Sequence, residues 1–317
     1  MDDPLILVRA VHFAATLSVV GAAFFQVFIA WPVLEGTARV GLRATLVRRL
    51  AWIVWIGFAL ILLSGTAWFV LVAQSISDQP IGTVLSDDSI LGAVLFDTDF
   101  GRDWLLRLGL IALLAGLLAA DLRGTKDSGG FLKTAIVVVA AGLAGTLAWA
   151  GHGNGGAGLA GSIHLAADVL HLIAAAAWVG GLLPLAFLLA NADRVSSVEV
   201  ARAASLRFSA YGLVAVGTLL LTGSINTWYL AGSIHALTAT AYGHLLLVKI
   251  ALFLVMLALA TVNRFWLTPA LARDAGETFE RKVLRRLRGN VAIETAAAAV
   301  ILAVVAVLGV TPPGLGE

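Results

Sequence analysis

The chain has 317 residues, of which 60% are hydrophobic and 13% charged, with a formal net charge of +2 at pH 7. Soluble domains carry about 25% charged and 45–50% apolar residues, so this composition excludes a soluble enzyme, a nucleic-acid binder and a disordered chain. It describes an all-α polytopic membrane protein, in which each crossing of the bilayer uses about 20 mostly apolar residues.

Apolar runs fall at residues 5–31, 50–73, 104–120, 131–150, 163–190, 207–230, 242–267 and 291–310, which predicts eight transmembrane helices. The first run follows Asp2 and Asp3 rather than a basic region and is too long for a cleaved signal peptide. Most of the 21 basic residues gather in alternate connections. Arg39, Arg43, Arg48 and Arg49 follow span 1, and Arg123, Lys126 and Lys133 follow span 3. Arg194, Arg202 and Arg207 follow span 5, and Arg264, Arg273, Arg281, Lys282, Arg285, Arg286 and Arg288 follow span 7. The positive-inside rule makes these connections cytoplasmic and places both termini on the outer, periplasmic side. The run 281–288 reads first as a topology determinant and second as a site for anionic lipid or a partner. Six tryptophans (Trp31, Trp52, Trp104, Trp149, Trp228 and Trp266) lie near span ends, where an aromatic belt would put them. The outer loop 74–103 carries six aspartates and is either a solvated loop or a gatherer of cations.

Spans 1–3 match spans 5–7. Val11-His12-Phe13 aligns with Leu170-His171-Leu172 at an offset of 159, which also places Gly21 on Gly180. Leu63-Ser64-Gly65 aligns with Leu221-Thr222-Gly223 at 158. Phe100-Gly101 aligns with Tyr242-Gly243 at 142, which also places Arg107 on Lys249. The pattern predicts one integral membrane domain built as a parallel 4+4 repeat, residues 1–150 and 163–310, about an axis along the membrane normal.

Ionisable groups within a membrane are expensive and are functional candidates by default. His12, Arg107, His171 and Lys249 all lie about 10 Å below the outer surface at 1.5 Å rise per residue. On span 5, His164, Asp168 and His171 follow i, i+4, i+7 and share one face. His152 sits just outside it, in the glycine-rich loop 151–161. Neutral imidazoles with a carboxylate suit Cu, Zn, Ni or Fe, and the carboxylate can also orient an imidazole from behind. Plainer roles compete. Lys249 and Arg107 can snorkel to the outer surface, Asn226 and Asn263 can bond between helices, and Glu294 can balance cytoplasmic arginines. With zero cysteines and two methionines, one of them the initiator, no thiolate site and no methionine-lined path for a soft metal is expected.

An ordered set of short motifs covers spans 4–8: Trp149-Ala-Gly-His152, His164…Asp168…His171, Trp178-Val-Gly-Gly181, Phe208-Ser209, Thr222-Gly223…Asn226…Trp228, Tyr242-Gly243 with Lys249, Asn263-Arg264, Glu294 and Pro312-Pro313. This set resembles the copper resistance protein D (CopD) family of bacterial inner-membrane proteins with eight spans. The resemblance implies copper uptake across the cytoplasmic membrane, with a periplasmic carrier of the CopC type as partner. It points to His152, His164, Asp168 and His171 as the metal-handling positions, to which the repeat adds His12, with Lys249 and Arg107 as supporting charges. No ATP-binding motif is present, so transport would be passive or ion-coupled. The alternative is a haem b protein with His12 and His171 as axial ligands, a pattern that also looks like protoporphyrinogen oxidase of the HemJ type. A scaffold or assembly factor is the third reading.

Overall fold

The computed structural model describes residues 4–34, 40–123, 130–150, 158–192, 195–271 and 276–312. Among them there is no strand. Eight helices are long and apolar enough to cross a membrane: α1 (Pro4–Leu34), α2 (Thr45–Ser77), α3 (Asp99–Asp121), α4 (Gly130–Ala150), α5 (Gly158–Ala190), α6 (Val198–Ala231), α7 (Ala241–Ala270) and α8 (Glu277–Leu308). The chain is an all-α, multi-pass membrane protein. Its outer face is apolar, with Val214 72% and Leu63 70% exposed. Such a surface suits lipid and would be a liability in water.

Several helices run past the apolar stretch that announces them. The main extension is in α8, which begins at Glu277 and carries Arg281–Arg288 as helix rather than loop. Glu, Lys, Arg and Leu are strong helix formers, so the basic segment extends the helix beyond its hydrophobic part. Arg264 likewise lies within α7, at a π-helical turn spanning Asn263–Leu267. The loop after α2 is partly helical too, with short helices at Ile81–Ser86 and Asp88–Asp97. Asp87 caps the second of these, and the Ser89 hydroxyl and amide hold its carboxyl below the usual range. Of the residues singled out from sequence, His152, Arg39, Lys126, Arg194, Arg273 and Pro313 lie outside the described residues.

At the centre, α1 and α5 cross in backbone contact. A Cβ on Gly21 would meet Gly180 and the Ala176 carbonyl, and a Cβ on Gly180 would meet Gly21 and the Leu17 carbonyl. Ala176 stands to Leu17 as Gly180 stands to Gly21, 159 residues on, so the contact is reciprocal. Around this crossing α1 packs on α2, α4, α5 and α8, and α5 packs on α6, α1, α4 and α8. A second local arrangement recurs 142 residues apart. The Thr98 hydroxyl accepts from the Gly101 amide at 3.0 Å, and the Thr240 hydroxyl accepts from the Gly243 amide at 2.9 Å. Both glycines lie against carbonyls of the preceding short helix, Val94 and Leu95 in one case and Ala236 and Leu237 in the other.

Overpacking against side chains that can shift costs about 1–3 kcal/mol. At the crossing the obstacle is backbone. Gly180→Leu is therefore expected to lower the thermal midpoint in detergent sharply and to broaden the size-exclusion profile. Gly217→Leu, whose Cβ meets nothing within 4 Å, should leave both close to the parent. Equal behaviour of the two variants would contradict the central role of the crossing.

Candidate metal-handling site

The face of α5 that carries His164, Asp168 and His171 is turned to α6, and each residue has its own partner there. His164 stacks on Tyr229, with ring centroids 5.0 Å apart and planes 7° apart. Asp168 Oδ1 accepts from Asn226 Nδ2 at 3.1 Å, and His171 Nδ1 lies 3.0 Å from Thr222 Oγ1. Partner numbers fall as α5 numbers rise, as antiparallel helices require. Seven residues and about 10 Å of helix rise separate His164 from His171. Among the described residues, no three His, Asp or Glu side chains gather as a set that could hold a metal ion. The i, i+4, i+7 spacing gives a shared face but not a closed cage.

The hydrogen-bond chain behind His171 fixes its ring. The Thr222 hydroxyl donates to the Thr218 carbonyl at 2.6 Å. Its oxygen is then left to accept from His171 Nδ1–H, so the neutral ring keeps a lone pair on Nε2. His171 lines a cavity of about 490 Å³ between α5, α6, α7 and α8, with Asn226, Tyr242, Lys249, Phe253 and Met256 among the other lining residues. Lys249 lies within electrostatic reach of both Asp168 and His171. The Oδ1 atom of Asn226 is buried without a hydrogen-bond partner. Met256, the one internal methionine, is fully buried in this cavity. Its thioether lines the same cavity as the His171 imidazole.

His12 repeats the local design in the first half. Its Nδ1 lies 3.1 Å from Ser64 Oγ, and that hydroxyl donates to the Leu60 carbonyl at 2.5 Å. The surroundings differ. Trp68 meets the His12 ring edge-on at 5.4 Å and Trp104 packs at 5.9 Å, leaving His12 1% exposed. By the repeat offsets, Trp68 corresponds to Asn226 and Trp104 to Leu246. Two indoles fill what is open space in the second half. Trp104 is therefore not an interfacial anchor. Nor is Trp31, which is 9% exposed and donates to Asp121. Trp52, Trp149, Trp228 and Trp266 do face outward.

Arg107 does not snorkel. It is 1% exposed, paired with Asp103 at 2.7 Å, and donates to the Thr146 carbonyl at 2.6 Å. Arg9, which the sequence reading passed over, donates to the Ala150 carbonyl at 3.2 Å and lies over Trp68 at 4.9 Å. Both arginines meet carbonyls at the C-terminus of α4, where the helix leaves acceptors unsatisfied and its dipole favours cations. A lone arginine among the apolar residues at the start of α1 was the available signal for this cap.

His12 and His171 are not brought together. Each lies nine residues before a crossing glycine, and nine residues is about 2.5 turns. The two histidines therefore lie on the faces of α1 and α5 opposite to the contact between those helices. A single haem iron held by both rings is not what this arrangement offers.

The first 163 residues match the family model for the copper resistance protein D-like N-terminal domain, and residues 202–308 match the model for copper resistance protein D. The chain is 33% identical over 220 residues to copper resistance protein D of Pseudomonas syringae pv. tomato, which covers 68% of this chain and 69% of that protein. It is 34% identical over 169 residues to copper transport protein CutJ of Bacillus subtilis, covering 53% of this chain and 31% of that protein. It is 29% identical over 316 residues to inner membrane protein YebZ of Escherichia coli, covering 97% and 98%. No solved structure matches. The chain belongs to the copper resistance protein D family.

The Arg107–Asp103 pair yields a stability test. Breaking a buried ion pair from one side costs about 3–5 kcal/mol, because the remaining charge is left uncompensated. Asp103→Asn is expected to lower the thermal midpoint in detergent by an amount in keeping with that range. An unchanged midpoint would mean that the Thr146 carbonyl alone satisfies Arg107.

Proposed function

We propose that this copper resistance protein D family member carries copper across the bacterial cytoplasmic membrane through its second half, with the ion received at His171 Nε2 and Asp168. The observation that carries the reading is the His171–Thr222–Thr218 chain, which orients a free imidazole nitrogen toward a cavity while the matching ring in the first half is enclosed by indoles. The recurring contacts at offsets of 159, 158 and 142 support a parallel duplication in which one copy keeps an open chamber and the other has become packing. Relatives named for copper resistance and copper transport support copper as the cargo.

In this reading the carboxylate and the ammonium have linked roles. An empty site cannot leave a carboxylate uncompensated within the membrane. Lys249 serves as the resident cation opposite Asp168, and an arriving copper ion takes over that charge. A lysine suits the task, since its long flexible stem lets the head move aside. His171 offers the ion a neutral imidazole nitrogen and Asp168 a carboxylate, the donor types that the sequence puts on one face of α5. His164 lies on the outer side of the site and His152, outside the described residues, precedes it in sequence; a periplasmic carrier of the CopC type would deliver from that side. The basic ends of α2, α6 and α8 then face the cytoplasm, and the inner membrane is the location.

Copper bound per chain, measured on purified protein after removal of excess metal, tests the site. His171→Ala should lose the bound copper, while His12→Ala should keep it. Thr222→Val should weaken binding by about 10–100-fold, the usual cost of removing the partner that orients a ligand imidazole. Full copper on His171→Ala would overturn the assignment, as would equal losses from the two histidine variants.

Acid should act in a fixed direction. Copper competes with protons for an imidazole and a carboxylate. Occupancy at fixed free copper is expected to fall as pH is lowered, because protons compete for both groups. An occupancy that rises as pH is lowered would overturn the assignment.

A further inference from the structure

Below the His171 cavity lies a second, smaller chamber of about 120 Å³, toward the basic end of α5, α6, α7 and α8. The two share one wall. The indole of Trp178 lines both and is held edge-on by Phe253 at 5.9 Å. One face of α7 runs past both chambers with a residue able to carry an ion or proton every seven positions: Tyr242, Lys249, Met256 and Asn263. The first three line the upper chamber, and Asn263 lines the lower one.

The lower chamber holds a carboxylate that the copper site does not use. Glu294 is 2% exposed, and its Oε1 accepts from Asn263 Nδ2 at 2.7 Å. Asn263 is itself oriented, since its Oδ1 accepts from Asn290 Nδ2 at 2.7 Å. Ser205, a second lining residue, has a buried hydroxyl with no hydrogen-bond partner. That is an unused donor and acceptor in a space large enough for water. The expectation that Glu294 balances the arginines of the basic end is not what the side chains do. Arg288 donates to the Leu189 carbonyl and Arg264 to Ser209 Oγ at 2.9 Å, and no described cation lies within ion-pair distance of Glu294.

We infer that the lower chamber is a proton site, in which the Glu294 carboxyl exchanges a proton with water from the basic end while Trp178 separates it from the copper chamber. The groups facing Glu294 favour a proton over a metal ion. From α6 come only the hydroxyls of Ser205 and Ser209, and from α5 only apolar side chains. From α7 come Asn263, the Arg264 guanidinium and the hydroxyls of Thr261 and Thr268, and on α8 itself Asn290 is neutral. The ionisable groups of α1, Arg9 and His12, belong to the opposite end of the bundle. A chamber with one carboxyl, one guanidinium and no soft donor repels a copper ion and tolerates a proton. In the proton step, Glu294 COO⁻ takes H⁺ from a hydronium ion to give COOH and water, and the reverse step returns it. This inference rests on the copper reading for what the proton is coupled to, but not for the existence of the site.

Infrared difference spectroscopy on purified protein separates the two. A pH step without copper should give a protonated-carboxyl band from the parent. Glu294→Gln, which keeps an oxygen for Asn263, should lose that band, and Glu294→Asp should restore a shifted one. The same variants in vesicles with an internal pH dye then report proton movement on copper addition, with copper bound per chain measured in parallel. Expected is loss of proton movement in Glu294→Gln with copper binding retained. A parent band unchanged in Glu294→Gln overturns the proton site. A parent that shows the Glu294 band but binds no copper overturns the copper reading and leaves the proton site standing.

Discussion

The close approach of Gly21 and Gly180 is the constraint on which the rest depends. Within a bilayer, lipid is as apolar as leucine, so burial of apolar surface does not hold helices together, and close packing must. Two backbones in contact supply that packing, and they also fix rotation. With the glycines turned inward, residues about 2.5 turns away on each helix face outward from the crossing. His12 and His171 sit at that position. The crossing thus sends one imidazole into each half of the bundle, and the helices that receive them, α2 and α6, supply the hydroxyls of Ser64 and Thr222. Tightest packing and polar chemistry are two consequences of one helix rotation.

Under the proposed duplication, the two halves differ at a few positions around this frame. The imidazole–hydroxyl pair is kept, but the residue one turn before the histidine is Arg9 in one half and Asp168 in the other. Its neighbour on the facing helix is Trp68 in one and Asn226 in the other. The pairs are matched within each half. A guanidinium lies over an indole, and a carboxylate accepts from an amide. Exchanging only one member would leave a buried charge without its partner, which is costly. The cation on the third helix follows the same logic. Arg107 carries its own carboxylate one turn earlier, whereas the residue one turn before Lys249 is Leu245 and its counter-charge comes from α5. A cation paired within its own helix can be static. One paired across a cavity can move.

Much of this was legible in the sequence because it depends on local chemistry. Long apolar runs force eight helices, since a backbone in lipid must satisfy its own hydrogen bonds. The shared face of His164, Asp168 and His171 follows from helical periodicity. What periodicity cannot give is the direction of that face, because spans that are apolar all round hide which side meets a neighbour. For the same reason Trp104 reads as an interfacial anchor from its position and proves to be a plug. A lone Arg9 among apolar residues signals that it needs a partner, but not that the partner is the end of α4, 141 residues away.

If the chain carries copper as proposed, the Trp178 septum sets a requirement on the path. An ion that moves from the His171 chamber toward the basic end must pass an indole 2% exposed, wedged against Phe253. A permanently open path at that point would dissipate the proton gradient, so the proposed carrier needs a closed resting state there. A shift of α7 relative to α5, or a change of rotamer at Phe253 or Trp178, would open that contact. α7 is poorly restrained by α6 and packs chiefly on α8. The charge on Lys249 and the Glu294–Asn263 hydrogen bond both report on the position of α7, one in each chamber. Replacing Lys249 as the partner of Asp168 would free α7 above the septum, and neutralising Glu294 would loosen it below. One helix carrying both contacts is a physical route by which events in the two chambers can be coupled without a direct connection between them.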